Sequence, residues 1–309
     1  MKECFIERKF QAKTMALIEK VNAIIGEYAL LELVLTLRQL YYQLVSRDIV
    51  LNNLQSYKRV GEIVNDAKLA GFVDWAAIED RRRNLMAVPH YDGPADAIES
   101  VAGGFALDKW EGQKYRPEVW SEKEALLSII DRVAVENDLA YMACCGYNSG
   151  TEMYNAAQRV RARRALGQET VVIYCGDHDP SGLDMSESDI PTRFQTFLSK
   201  YGQDPVEIRR VALNLDQVEK YNPPPNFAKE TDARYGAYRK KYGDKCWEVD
   251  ALDPRTLIAL IQAEVDDMKD AGLYTEMEAR EADEREQLSK ASGRWNEVAR
   301  FLEEEEGAA

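Results

Sequence analysis

The chain has 309 residues, 45% apolar and 30% charged, which fits a globular protein with room for two domains. No stretch reaches the ~20 apolar residues of a membrane span, and the charged start MKECFIERKF lacks an apolar leader core, so a cytoplasmic protein without a membrane partner is expected. The net charge of −14, taken whole, argues against nucleic acid. The charge is uneven, however. Glu276 to Glu306 is mainly acidic, whereas Lys58-Arg59, Arg81-Arg82-Arg83, Arg159 to Arg164, Arg209-Arg210 and Arg239 to Lys241 are basic clusters. Each cluster alone reads as a solvated face; together they leave a DNA surface open. Five cysteines without a C-x-x-C pair suggest reduced thiols, and two histidines argue against a His-based zinc site.

In chain order, residues 11–29 place Met15, Leu17, Ile18, Val21, Ile24 and Ile25 at helical spacing. Thr36-x-x-Gln39 is a capping-box pattern that opens a second helix. There Leu37, Leu40, Tyr41, Leu44 and Val45 form the core stripe. Tyr42 falls about 100° off that stripe, beside Arg38 at i−4, and is expected to be exposed. A third helix is expected over about Ser56 to Ala70, with Lys58 and Arg59 outside and Gly71 ending it. Three short helices, a turn-rich extension and flanking cations read as a winged or helix-turn-helix domain. Residues 90–116, with Gly93-Pro94 and Gly103-Gly104, read as a linker.

Then strands and helices alternate. Glu118-Val119-Trp120 is a strand, Ser121-x-x-Glu124 a second capping-box pattern, and Glu122 sits at their junction. Strands are expected at Leu139 to Cys145, Val171 to Cys175 and Val206 to Leu213, with Ser149-x-x-Glu152 capping a helix between the first two. This βαβαβαβ pattern implies an α/β layer with a parallel core. Residues 274–306 read as a solvated acidic helix. No G-x-x-x-x-G-K-[ST] phosphate loop is present, so the chain carries no ATPase signature of its own.

The third of these strands ends in Gly176-Asp177-His178-Asp179-Pro180-Ser181-Gly182. In open α/β sheets, chemistry gathers beyond the carboxyl ends of strands. Two carboxylates spaced by one residue there can face a hard cation such as Mg²⁺; a solvated turn is the plainer alternative.

Trp120-Ser121-Glu122-Lys123-Glu124-Ala125 followed by the Asp177-x-Asp179-Pro-x-Gly turn resembles a TOPRIM domain. The combination with Thr36-x-Arg38-x-x-Tyr41-Tyr42 upstream, and Cys246-Trp247-Glu248 to Leu252 downstream, resembles the A subunit of topoisomerase VI and its meiotic double-strand-break relatives. The resemblance spans roughly residues 30–270. It implies a winged helix over 1–105 and a TOPRIM domain over 106–270; the acidic composition beyond it reads as a helical tail over 271–309. It further implies Tyr42 as nucleophile with Arg38 beside it, Mg²⁺ on Glu122, Asp177 and Asp179, and Lys58, Arg59, Arg81, Arg82 and Arg83 on double-stranded DNA. A homodimer and a separate ATPase subunit are implied partners. Asp184 is only near the position of the family's further carboxylate. A hydrolytic TOPRIM nuclease, a non-catalytic DNA-binding relative and a small-molecule α/β enzyme are the alternatives.

Overall fold

The computed structural model describes residues 2–31, 33–79, 88–227 and 231–306. The chain divides into two compact units. One is Met1–Arg83 with Arg116–Met268, the other Asn84–Tyr115 with Lys269–Ala309. Among the described residues, no helix is long and apolar enough to cross a membrane.

The first unit opens with α1 (Ala12–Ala29). A two-residue strand β1 (Leu35–Thr36) leads into α2 (Leu37–Ser46), and α3 (Leu54–Leu69) follows. Strand β1 pairs in parallel with β2 (Ile78–Glu79). The expected stripes do face inward: Ile18, Val21, Ile24, Leu40, Leu44, Val60 and Val64 share one core. Asn53 rather than Ser56 starts α3, its side chain accepting the Ser56 N–H at 2.8 Å. Gly71 closes that helix at φ +77°, a conformation that favours glycine.

Helix α4 (Pro94–Gly104) belongs to the second unit. The linker expected there is thus a helix. Gly93-Pro94 starts it, because proline at the first helical position is pre-set for a helix start and sacrifices no bonded N–H.

The α/β part of the first unit alternates as expected: β3 (Tyr115–Ser121), α5 (Leu127–Glu136), β4 (Ala140–Ala143), α6 (Gly150–Ala165), β5 (Glu169–Cys175), α7 (Pro180–Asp184), α8 (Ile190–Leu198) and β6 (Glu207–Ala212). A π-helical turn, Met185–Asp189, joins α7 to α8. The strands form a parallel four-stranded sheet in the order β4-β3-β5-β6, with Val119 level with Tyr141 and Ile173 level with Arg209. The chain leaves β3 towards one edge and returns to β5 on the other side of β3. The order therefore reverses between β3 and β5, where a crevice opens at the strand ends. Trp120, Val172, Tyr174, Phe194 and Leu198 fill a core on this sheet.

Beyond β6 come α9 (Leu215–Tyr221), the antiparallel pair β7 (Asn226–Phe227) and β8 (Lys245–Cys246) around α10 (Tyr235–Tyr242), and α11 (Pro254–Met268). Ala251, in the short turn before α11, is buried in the core of α1–α3. The helical lobe and the α/β part are consequently one packed body.

In the second unit, α4 packs with α12 (Ala271–Gly293), and α13 (Trp295–Glu306) follows. The acidic segment is helical, but α12 is not a solvated tail. Tyr274 is buried edge-on against Trp110, and the buried Glu281 carboxylate accepts the Leu107 N–H at 2.8 Å and pairs with Lys109 and Arg285.

Candidate active site

The two central strands bring the sequence-predicted carboxylates together. Glu122 follows β3, and its N–H donates to Cys175 O at the end of β5 at 2.8 Å. The Asp177 N–H returns a bond to Glu122 Oε2, also 2.8 Å. Two glycines make room for that carboxylate. A Cβ at Gly176 or at Gly182 would stand 2.9 Å from Glu122 Oε2. Asp179 caps α7, accepting the Gly182 N–H at 2.7 Å and the Ser181 hydroxyl at 3.1 Å. The expected box at Ser121-x-x-Glu124 does not form. The Ser121 hydroxyl instead accepts the Lys123 N–H at 3.1 Å, and Lys123 turns inward before a short 3-10 turn over Glu124–Leu126.

Lys123 joins three carboxylates. Its Nζ lies 2.9 Å from Asp177 Oδ1, 2.9 Å from Glu248 Oε2 and 2.7 Å from Asp250 Oδ1. Asp177 Oδ1 also accepts the Val249 N–H at 2.8 Å, so the Glu248 to Asp250 segment is pinned to the loop after β5. On the other side Arg38 pairs with Glu248, places Nε 3.0 Å from Asp250 Oδ2, and donates to Tyr42 Oη at 3.3 Å. The Thr36/Gln39 capping box is present, and Gln39 Nε2 further donates to Ala125 O at 3.3 Å. That bond ties the start of α2 to the turn after Glu122. A cavity of about 480 Å³ is lined by Arg38, Lys123, Asp177, Asp179, Ser181 and Glu248. A second, of about 810 Å³, is lined by Arg38, Lys68, Glu122, Lys123 and Asp250.

Electrostatics follow from burial and crowding. Burial raises the Glu122 carboxyl above its usual range, and the Asp179 charge adds to this. Burial likewise raises Asp177; Lys123 opposes, and Glu122 and Asp250 add to the rise. Burial disfavours the Lys123 ammonium, yet Asp250, Asp177 and Glu248 hold it charged. Burial works against the Glu248 carboxylate too, but Lys123 and Arg38 bring it down to about 2. Burial pushes the Tyr42 hydroxyl above its ordinary value, Asp250 and Glu248 add to the push, and Arg38 opposes it.

Tyr42 corrects an expectation. It is not exposed but 4% accessible, as is Tyr41. Helix periodicity sorts residues only against the lobe's own core, and the second side of α2 is covered by the Glu248–Ala251 segment, far away in sequence. Tyr41 is indeed packing. Its hydroxyl accepts the Asn53 N–H at 2.9 Å and lies 3.0 Å from Leu51 O. Lys58 and Arg59 are exposed on α3; Arg81, Arg82 and Arg83 lie outside the described residues. Asp184 points away from the carboxylates, to the Tyr147 hydroxyl at 2.6 Å and Arg234 at 3.0 Å.

Sequence reasoning missed Arg210, Glu248 and Asp250 as parts of the site. Arg210 read as one of a solvated basic pair. Only Arg209 takes surface partners, Glu207, Glu264 and Asp267. Arg210 runs beneath the acidic loop and donates to Gly176 O at 2.9 Å, Gly182 O at 2.9 Å and Asp177 O. Its place as an inward residue of β6, next to β5, was a usable signal. Two carboxylates spaced by one residue in Glu248-Val249-Asp250 were another.

Comparison of the chain with protein-family models, with curated proteins and with solved structures finds no match.

The donor set suits a hard divalent cation chemically. No donor among the described residues reaches Glu122 Oε1, Asp177 Oδ2 or Asp179 Oδ2, and the Asp179 charge raises Glu122 while Glu122 raises Asp177, a charge imbalance that a cation relieves. As arranged here, with Lys123 on Asp177 and the α7 amide on Asp179, no three His, Cys, Asp or Glu side chains among the described residues close on one metal position.

Proposed function

We propose that this chain binds double-stranded DNA and cleaves it by transesterification at Tyr42, after the manner of the A subunit of topoisomerase VI that its motifs resemble. On this reading α1–α3 serve as the winged-helix part and the four-stranded sheet as the TOPRIM part. The observation that carries the proposal is the unbroken chain of contacts from Tyr42 through Arg38 and Glu248 to Lys123 and Asp177. It couples the one phenol that the motif singles out to the carboxylates of the sheet.

The side chains have distinct tasks in such a reaction. Tyr42 Oη attacks phosphorus, an O–P bond to tyrosine forms, and the bond from phosphorus to the leaving sugar oxygen breaks. The phosphodiester is conserved in energy and available for resealing. A buried phenol beside two carboxylates is protonated at neutral pH, so its proton passes to water as Oη attacks, the departing sugar oxygen takes one up from water, and the developing phenolate needs a cation beside it. Arg38 meets that need, since a guanidinium in contact with Oη stabilises the phenolate and a phosphate oxygen alike. Glu122, Asp177 and Asp179 would hold Mg²⁺, which supplies charge compensation to the phosphate oxygens when bound. Lys123 holds Asp177 in place and offsets part of the negative charge of the acidic cluster.

Burial of Tyr42 at 4% implies that the contact between α2 and the Glu248 segment opens when DNA enters. In the resembled family the tyrosine of one subunit acts at the metal site of the other, and a homodimer that trades the contact within one chain for one between chains provides that opening. The same burial favours one second reading, a hydrolytic nuclease in which water attacks and Tyr42 only packs.

The test incubates plasmid DNA with the protein and Mg²⁺ and stops the reaction with detergent. Breaks with protein attached, lost in Tyr42→Phe and Asp177→Ala but kept in Tyr41→Phe, support the transesterase. Breaks with free ends that persist in Tyr42→Phe support the nuclease. Should the chain alone cut nothing, the assay is repeated with a separate ATPase subunit, the partner that the resemblance implies.

A further inference from the structure

Where do the cations of an acidic chain go? Most arginine clusters are absorbed by carboxylates of the chain itself: Arg159 and Arg163 by Glu118, Arg164 by Glu169, Arg209 by Glu207, Glu264 and Asp267, Arg239 by Asp244. One group is not. A groove of about 400 Å³ between α1 and α3 is lined by Lys13, Thr14, Lys20, Ser56 and Arg59 over an apolar floor that includes Leu17 and Val60, and no carboxylate lines it. Lys13, Lys20 and Arg59 are exposed and make no ion pair or hydrogen bond among the described residues. The groove shares no lining residue with the two cavities at the carboxylates.

We infer that this groove is a separate binding site for the phosphate backbone of duplex DNA, a positioning contact away from the reacting phosphate. The inference rests on the DNA-binding part of the function proposed above. Lys13 and Lys20 are seven residues apart on α1, hence on one face and about 10.5 Å apart along the helix axis. The two ammonium groups are therefore far enough apart to contact separate phosphates of one strand. Arg59 faces them from α3 and supplies a fork for a phosphate oxygen pair. Thr14 and Ser56 add hydroxyl donors, and a groove of side-chain cations and hydroxyls fixes register without reading bases. The acidic remainder of the chain repels DNA from other faces, which sharpens the preference for this one.

The test measures affinity for a short labelled duplex in EDTA, where nothing is cut, across salt concentrations. It compares the wild type with the combined Lys13→Gln, Lys20→Gln, Arg59→Gln variant. A control of equal charge change, Lys200→Gln, Lys220→Gln, Lys240→Gln, is run alongside. Each lost phosphate contact removes about 0.9 from the log–log slope, so the groove variant should lose about 40-fold less affinity than the wild type between about 50 and 200 mM salt. The control should keep the wild-type slope. If the triple variant melts early, the three single variants carry the test, each with about 0.9 less slope. An unchanged slope in the groove variant, or an equal loss in the control, overturns the groove while leaving the Tyr42 reading intact. A wild type that does not bind duplex DNA at all overturns both.

Discussion

The Asp177 N–H donates to Glu122 Oε2 at 2.8 Å, although the two residues follow different strands, 55 positions apart. The acidic pair at the switch point of the sheet is therefore set by backbone geometry and not by a flexible side chain alone. Gly182 is what permits it. A Cβ there would collide with Asp177 O and stand 2.9 Å from Glu122 Oε2. Gly182→Ala should lower stability by about 1–3 kcal/mol through overpacking, read as an earlier thermal transition. A Gly182→Ala protein as stable as the wild type would show that the loop relaxes freely.

Lys123 is the electrostatic centre of the network. Lys123→Met keeps the stem but removes the ammonium from Asp177, Glu248 and Asp250, leaving Arg38 alone on the last two. Breaking a buried pair on one side costs about 3–5 kcal/mol. The loss should be largest at neutral pH and shrink as acid protonates Asp177, which burial holds above the usual carboxylate range, with Mg²⁺ restoring part of it at neutral pH. Denaturant unfolding across pH, with and without Mg²⁺, measures this. No loss, or a loss independent of pH, contradicts the role.

Adjacent tyrosines should separate cleanly. Tyr41→Phe leaves the Asn53 N–H without its phenol acceptor next to the cap of α3, and should cost about 1–3 kcal/mol. Tyr42→Phe removes a hydroxyl that contacts Arg38 and the Glu248 carboxylate, and should cost less than Tyr41→Phe while abolishing protein-linked breaks. Chemical denaturation of both variants decides it; a reversed order of stability would place the structural phenol at 42.

Away from the site, Glu118 is buried within β3 with Arg159, Arg163 and the Trp120 indole N–H. Burial works against its charge, but the two guanidiniums hold the carboxyl below the ordinary value of 4.5. A depressed folded pKa means a contribution that is present above about pH 4.5 and lost as pH falls through the lower folded value. Glu118→Gln should therefore cost about 2–4 kcal/mol at pH 7, part of Arg159 being solvent-screened. Its stability curve should converge on that of the wild type in acid. A constant gap from pH 7 to pH 3 contradicts the pairing.

How much of this was legible before the structure? The helices α1–α3, the alternating α/β order and the junctions that carry Glu122, Asp177 and Asp179 all follow from periodicity and turn residues, which are local signals. The failures share one cause. Tyr42, Arg210 and Glu248 owe their surroundings to residues distant in the chain, and stripe analysis has no access to those. Ser121-x-x-Glu124 had capping-box spacing, but Lys123 turns inward to Asp177, Glu248 and Asp250, and the Ser121 hydroxyl serves the Lys123 N–H. The supposed linker failed differently: Gly93-Pro94 is a start signal as well as a break signal, and only packing of α4 on α12 selects between them.

The most direct test of the central claim is the identity of the atom joined to DNA. Trapped complexes would be digested with nuclease and protease, and the peptides weighed. The account predicts a nucleotide mass on the Tyr42 hydroxyl, and none in protein carrying Asp177→Ala. A nucleotide on Tyr41 or on any other residue, or breaks with no peptide attached, would contradict it.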